Sequence, residues 1–366
     1  MTLRRESRGQ PVGHERAQDR RRRSVWGLAS MRTVRAVLLA VVGLGLLAMP
    51  RAPQAQSQVS PRRIAILTSD GELSPTCTAD PPSVSMSAFL GGLHSLGYRV
   101  GQDVTIECRS AESKYERLDA LAAELARRNP AVIVASAAPA SLAAKRATST
   151  IPIVSVYTAD PVGLGLVASL ARPGGNVTGL SALASDYVAK SLQLLKEAAP
   201  RTSRVGVLGH GANPTYAMYQ RELEPAGRAL GIALDFGPVN ALTDVEATLS
   251  AMQRRGADAF LVMHQPFTFA HRQHIVNAVT RRQVPAIHGS REAVEAGGLM
   301  SYSVGFEDVY RRAASFVDKI FRGAKPADMP VEQPTAFQLT INLKAARALG
   351  LTVEPSLLLR ADRVIE

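Results

Sequence analysis

One order of elements occurs twice in this chain, and that duplication constrains the fold more than any other feature. RRIAILTS (62–69) is answered by SRVGVLGH (203–210), and LHSLGYRVGQDV (93–104) by GRALGIALDFGPV (227–239). ARRNPAVIVASA (126–137) is answered by QRRGADAFLVMH (253–264), and TIPIVSVY (150–157) by QVPAIHGS (283–290). In each half a short apolar strand leads through a polar or Gly-containing turn to a helix-spaced apolar pattern and then to another strand, which is the signature of parallel βαβ units. Two α/β lobes of similar build follow from the repetition. Each is expected to be a doubly wound, Rossmann-like sheet with ligand-bearing loops at the carboxyl ends of its strands.

The Gly-Gly pairs at 174–175 and 297–298 sit at matching places in the two halves. Each precedes a strand instead of joining a strand to a helix, the wrong context for a phosphate loop, so both are read as turns. The strands after them are candidate crossings between lobes, near Leu180 and Ser303, with VEQPTAFQLTINLKAARALGL (331–351) as a third. This gives a first lobe of 61–180 plus about 304–328, a second of 181–303 plus about 329–366, and a three-strand hinge joining them.

The formal charge of +12 falls mostly in the first 60 residues, which hold 11 Lys+Arg against 3 Asp+Glu; the remainder has 32 against 28. So weak a balance in the lobes argues against a nucleic-acid partner. Arg32 and Arg35, the apolar run Ala36–Met49 and the polar APQAQSQ have the three-part form of a signal peptide at about 31–55, cleaved near Ala55. The apolar run falls short of the roughly 20 residues that a spanning helix needs. The basic segment before Met31 is either an extended leader or lies upstream of the true start at Met31. Export makes a disulfide between Cys77 and Cys108 the expected state of the two cysteines.

Strand-end position nominates ligand-binding residues. In the first lobe these are Thr68, Ser69 and Asp70, then Ser136 and Ala137, then Tyr157 to Asp160. In the second they are His210, Asn213 and Tyr216, then His264, Gln265 and Phe267, then Ser290; Ser181 and Tyr302 lie near the crossings. The hydroxyl residues suit a carboxylate, Tyr157, Tyr216, Tyr302 and Phe267 suit an apolar or aromatic body, and Asp70 or Asp160 an ammonium. Structural roles compete. Ser69 and Asp70 equally suit a cap, Asp160 before Pro161 a turn, and the aromatics the cores of the lobes.

Enzyme motifs do not compete on equal terms. GLGLVA (163–168) matches a degenerate dinucleotide fingerprint but lies after the fourth strand, too late in the βαβ order. His271 and His274 share a helix face, for which solvation is the ordinary reading. There is no Gly-x-Ser-x-Gly elbow and no Cys-x-x-Cys pair. Neither a cofactor, a metal nor catalysis is expected.

The run LAAELARRNPAVIVAS…IPIV…DPVGLGLVASLARPGGNVTG…SREAVEAGGLMSY resembles the bacterial ABC-transporter substrate-binding protein family with the type I periplasmic binding fold, from about residue 62 to the end. The resemblance implies an exported periplasmic receptor that closes on a small molecule and hands it to an ABC permease in the inner membrane. Some relatives bind tryptophan or tyrosine, which makes the implied ligand amino-acid-like. The alternatives are an extracytoplasmic sensory protein and, with less support, a cleft enzyme. A repressor of this shape would carry a helix-turn-helix where this chain has its apolar export run.

Overall fold

The computed structural model describes residues 60–69, 83–182, 187–334 and 336–366. The expected signal peptide, Asp70 and Cys77 lie outside them. In the first half, strands β1 (Arg62–Thr68), β2 (Val104–Ser110), β3 (Val132–Ser136), β4 (Ile153–Thr158) and β5 (Val177–Ser181) alternate with helices α1 (Val84–Ser95), α2 (Leu118–Arg127) and α3 (Ala137–Ala147). The strands form one parallel sheet in the order β2-β1-β3-β4-β5. Every residue of β3, β4 and β5 is buried. Helices cover both faces of such a sheet, which is why β3 and β4 read as mostly apolar runs without polar alternation.

The second sheet runs β12-β11-β10-β9-β8-β6-β7. It is built from β6 (Arg204–His210), β7 (Ala233–Val239), β8 (Ala259–Val262), β9 (Ala286–His288), β10 (Met300–Ser303), β11 (Gln338–Asn342) and β12 (Arg363–Ile365). Only the β10–β11 pair is antiparallel. Its helices are α4 (Tyr187–Ala198), α5 (Tyr216–Leu230), α6 (Asp244–Arg254), α7 (Pro266–Ala270), α8 (Arg272–Thr280), α9 (Arg291–Glu295), α11 (Leu343–Ala348) and α12 (Pro355–Leu358). The remaining helix, α10 (Phe306–Phe321), belongs elsewhere.

The chain exchanges helices between the sheets. Strand β5 lies at the edge of the first sheet, yet α4 after it packs Leu192 and Leu195 into the core of the second. Strand β10 lies in the second sheet, and α10 after it packs Phe316 and Val317 against Phe89 and Leu93 of α1. Gly92 permits that contact, since a Cβ there would fall 2.7 Å from the Arg311 carbonyl oxygen and 2.8 Å from the Ala314 Cβ. The third connection returns along β5: Ser181 donates its N–H to the Glu332 carbonyl at 2.8 Å, and Glu332 donates to that of Gly179 at 3.0 Å. It then enters β11 in the second sheet. Three chain passages therefore tie the lobes, and both Gly-Gly pairs lie in the short connections that feed β5 and β10, the first partly in a bend and the second partly in a turn.

Candidate functional site

Backbone conformation marks the site before any side chain does. Among the described residues of the first lobe, Ala137 (φ 66°) just past β3, Tyr157 (φ 59°) near the end of β4 and Asp160 (φ 44°) just past β4 adopt the left-handed region. A bulky residue there is a genuine outlier, and each such position costs about 1–3 kcal/mol, to be offset by surrounding packing. At Tyr157 the β4–β5 register also shifts, between Val156 and Thr158. A bulge of this kind re-aims a side chain.

Ala137 and Tyr157 line a cavity between the lobes, about 540 Å³ of non-protein space that is partly open to solvent. Ser136, Ala138, Ala159 and Ala182 complete the first-lobe wall, while Asn213, Thr215, Tyr219, His264, Pro266 and Phe269 come from the second. Phe306, the first residue of α10, closes it. The rings form a continuous cluster. Tyr157 stacks on Phe306 with centroids 4.5 Å apart and planes 14° from parallel, and lies 4.6 Å from His264. Phe269 is 4.7 Å from Phe306, and His264 is 5.0 Å from it. Offset contacts at these distances are the favourable arrangement for ring quadrupoles.

Polar groups are fewer, and each is held in place. The Ser136 hydroxyl pairs with that of Tyr310 on α10. Asn213 Oδ1 accepts from the Thr215 backbone at 2.9 Å and from its hydroxyl at 2.8 Å. Asn213 Nδ2 donates to the Tyr115 hydroxyl across the cleft at 3.3 Å, and the Tyr115 and His210 rings meet at 4.6 Å. Arg221 reaches Asp160 at 3.9 Å from the other lobe, an exposed pair of little energetic weight. Contacts thus cross the rim from lobe to lobe. The conformation is closed.

Burial governs the ionisation of this region. It raises the Tyr157 and Tyr219 hydroxyls above their ordinary value, leaving both protonated, and lowers His264 to about 4 and His288, buried at the end of β9, to about 4. A histidine titrating at 6.5 when unfolded and near 4 when folded keeps stability that is complete above pH 6.5 and is lost as pH falls toward 4. For fully buried His288 the loss is on the order of 3 kcal/mol. Thermal unfolding followed from pH 7 to pH 4 should show a falling midpoint, and His288→Leu should flatten that slope.

Of the residues nominated at strand ends, Ser136, Ala137, Tyr157, Ala159, Asn213 and His264 meet at the cavity. The others serve elsewhere. Thr68 and Ser69 are fully buried at the end of β1, where the Thr68 carbonyl accepts from Ala111 at 3.0 Å and the Ser69 hydroxyl donates to the Ser136 carbonyl at 3.4 Å. Asp160 accepts from the Gly163 N–H at 2.8 Å, a turn cap. Ser181 pairs with Glu332 through its backbone. Gln265 accepts from His210 N–H at 2.6 Å and forms a capping box with Thr268 at the start of α7. Ser290 caps α9 by accepting from the Ala293 N–H at 3.3 Å. Phe267 packs against the His210 and His271 rings, and Tyr302 stacks on Tyr187 and Phe337. Tyr216 is buried in the second-lobe core, its hydroxyl without a partner among the described residues. Cys108 is buried and disulfide-bonded.

Sequence reasoning did not nominate Tyr115, Thr215, Tyr219, Phe269 or Phe306. Tyr115 follows β2, so the strand-end rule would have included it had that strand been counted. Tyr219, Phe269 and Phe306 belong to helices, where apolar spacing reads the same whether a ring faces a core or a cleft.

Two mainly parallel α/β sheets whose strand ends face one ring-lined cavity define a two-lobed binding protein of the periplasmic type. Comparison with known proteins agrees and goes further. The family described as ABC transporter substrate binding protein matches residues 81–365. A conserved domain protein from Vibrio cholerae superposes with a TM-score of 0.76 at 26% identity, over 83% of this chain and 99% of its own. An ABC domain in complex with L-Trp from Streptococcus pneumonia gives 0.76 at 25% identity, over 84% and 100%. The Tyrosine-binding protein of Clostridioides difficile is 23% identical over 72% of this chain and 75% of its own. The chain belongs to the ABC transporter substrate-binding protein family, whose members bind a solute without transforming it.

Proposed function

We propose that this chain is a periplasmic receptor that closes on an amino acid with an aromatic side chain and presents it to an ABC permease of the inner membrane. The observation that carries this reading is the cavity that both lobes line with the rings of Tyr157, Phe306, Phe269 and His264, an aromatic wall suited to a ring-bearing solute. The relatives named for tyrosine and L-Trp support it. No Asp, Glu, Lys or Arg among the described residues lines the cavity. The polar end of the solute would meet Ser136, Asn213, Thr215 and backbone groups.

Closure then works as a population shift. Contacts to both lobes exist together only in the closed form, so a solute that makes them favours that form by its differential affinity. The test is isothermal titration and thermal unfolding with L-tryptophan and L-tyrosine, with L-alanine and glucose as controls. An aromatic amino acid at a hundred times its dissociation constant should stabilise the protein by about 2.7 kcal/mol, the controls not at all. A response to glucose or alanine alone would overturn the reading.

A further inference from the structure

His264 is a cavity wall with one unused acceptor. Its Nδ1 lies 2.7 Å from the Gly289 carbonyl oxygen, which can only accept, so Nδ1 carries the proton. Gly289 makes that approach possible: a Cβ there would fall 2.5 Å from the His264 Cβ and 2.6 Å from its backbone N and Cα. In a neutral ring with Nδ1 protonated, Nε2 holds a lone pair. Nε2 has no hydrogen-bond partner among the described residues, and His264 is only partly buried. The ring that carries it packs against Tyr157, Phe269 and Phe306, all three of them cavity walls.

We infer that His264 Nε2 is a specificity element that accepts a hydrogen bond from an N–H or O–H group on the ligand's ring, and so selects donor-bearing aromatic solutes over plain aromatic ones. The inference deepens the receptor reading above and rests on it. Neutrality of the imidazole supports it, because burial holds the group near 4 and an imidazolium would turn Nε2 into a donor. The surrounding wall offers few substitutes. Tyr157 and Phe306 present ring faces to each other, and the Tyr219 hydroxyl is engaged with the His264 backbone at 3.3 and 3.4 Å. A donor placed against Nε2 replaces its bond to water, whereas a methyl or bare C–H there strands a desolvated acceptor, an asymmetry that penalises the wrong solute more than it rewards the right one.

Two matched pairs of probes test it by calorimetry on the full-length exported protein: L-tryptophan against 1-methyl-L-tryptophan, and L-tyrosine against L-phenylalanine. In the wild-type protein the donor-bearing member of at least one pair should bind about tenfold or more tightly. His264→Phe, which keeps a ring but removes the acceptor, should bring that ratio to within about threefold, and His264→Gln, which restores a side-chain acceptor, should recover part of it. Equal affinities within both pairs in the wild-type protein would overturn the inference while leaving the receptor reading intact. Failure of all four probes to bind would overturn the receptor reading and the inference with it. The wild-type comparison alone decides the matter if either variant fails to fold.

Discussion

Phe306→Ala is expected to weaken L-tryptophan binding by 2–4 kcal/mol, roughly 30- to 1,000-fold, the loss typical of a desolvated aromatic hot spot. Phe306 is the one ring in the cluster that touches all the others, with centroids 4.5 Å from Tyr157, 5.0 Å from His264, 4.7 Å from Phe269 and 6.2 Å from Tyr310. It opens α10 directly after the second crossing, so it sits where the chain leaves the second sheet for the first lobe. If the proposed solute stacks on this ring, removing it deletes that stacking surface and loosens the cross-lobe contact in one step. Part of the cost falls on folding, since truncating a buried Phe typically destabilises by about 3–5 kcal/mol. Calorimetry below the variant's unfolding transition separates the two effects, and Phe306→Leu, which keeps apolar volume without a ring, should retain stability but lose most of the affinity. A change of less than threefold in the alanine variant would show that the ring does not contact the solute.

The largest effect on folding is expected at Gly179. Its φ is +138°, a conformation that side chains rarely adopt, and a Cβ there would lie 1.9 Å from the Ser155 carbonyl oxygen and 2.7 Å from the Ser155 nitrogen. Both clashing atoms are backbone of β4, pinned between β3 and β5 in the first sheet, so neither can move without breaking the β4–β5 ladder. The Gly179 carbonyl also accepts the Glu332 N–H at 3.0 Å, so the distortion reaches the third passage between lobes. Gly179→Ala should cost more than about 4 kcal/mol, a severity reserved for strained backbone and broken cores. Urea unfolding measures it as a fall in the midpoint, with a parallel loss of solute affinity as the crossing loosens. A loss below about 1 kcal/mol would mean that β5 has room the structure does not show.

The lobes and their shared gap were readable from the sequence because buried parallel strands and amphipathic helices leave different periodicities, and because the pattern occurs twice. β3 as AVIVAS and its partner β8 as DAFLVM needed no tertiary information. The site was readable in part. Strand-end position led to Ser136, Ala137, Tyr157 and Asn213 of the candidate cavity, since strand ends in such sheets face the gap between lobes. The same rule also collected Gln265 and Ser290, which cap helices, because a polar residue at a strand end is as useful to orphan N–H groups as to a solute. Phe269 and Phe306 stayed hidden for another reason. Which side of a helix meets the cleft depends on how the chain crosses between sheets, and hydrophobic spacing carries no record of that. The left-handed backbone of Ala137 and Tyr157 was equally silent, as neither residue type favours it.

A crystal structure of the protein grown with L-tryptophan tests the central claim most directly. Density for the indole between the lobes, in van der Waals contact with Tyr157 and Phe306 and beside His264, is the outcome this account requires. Density confined to the separate surface cavity between α8 and α11, where Val284, Lys344 and Leu349 line a pocket wholly within the second lobe, would contradict it.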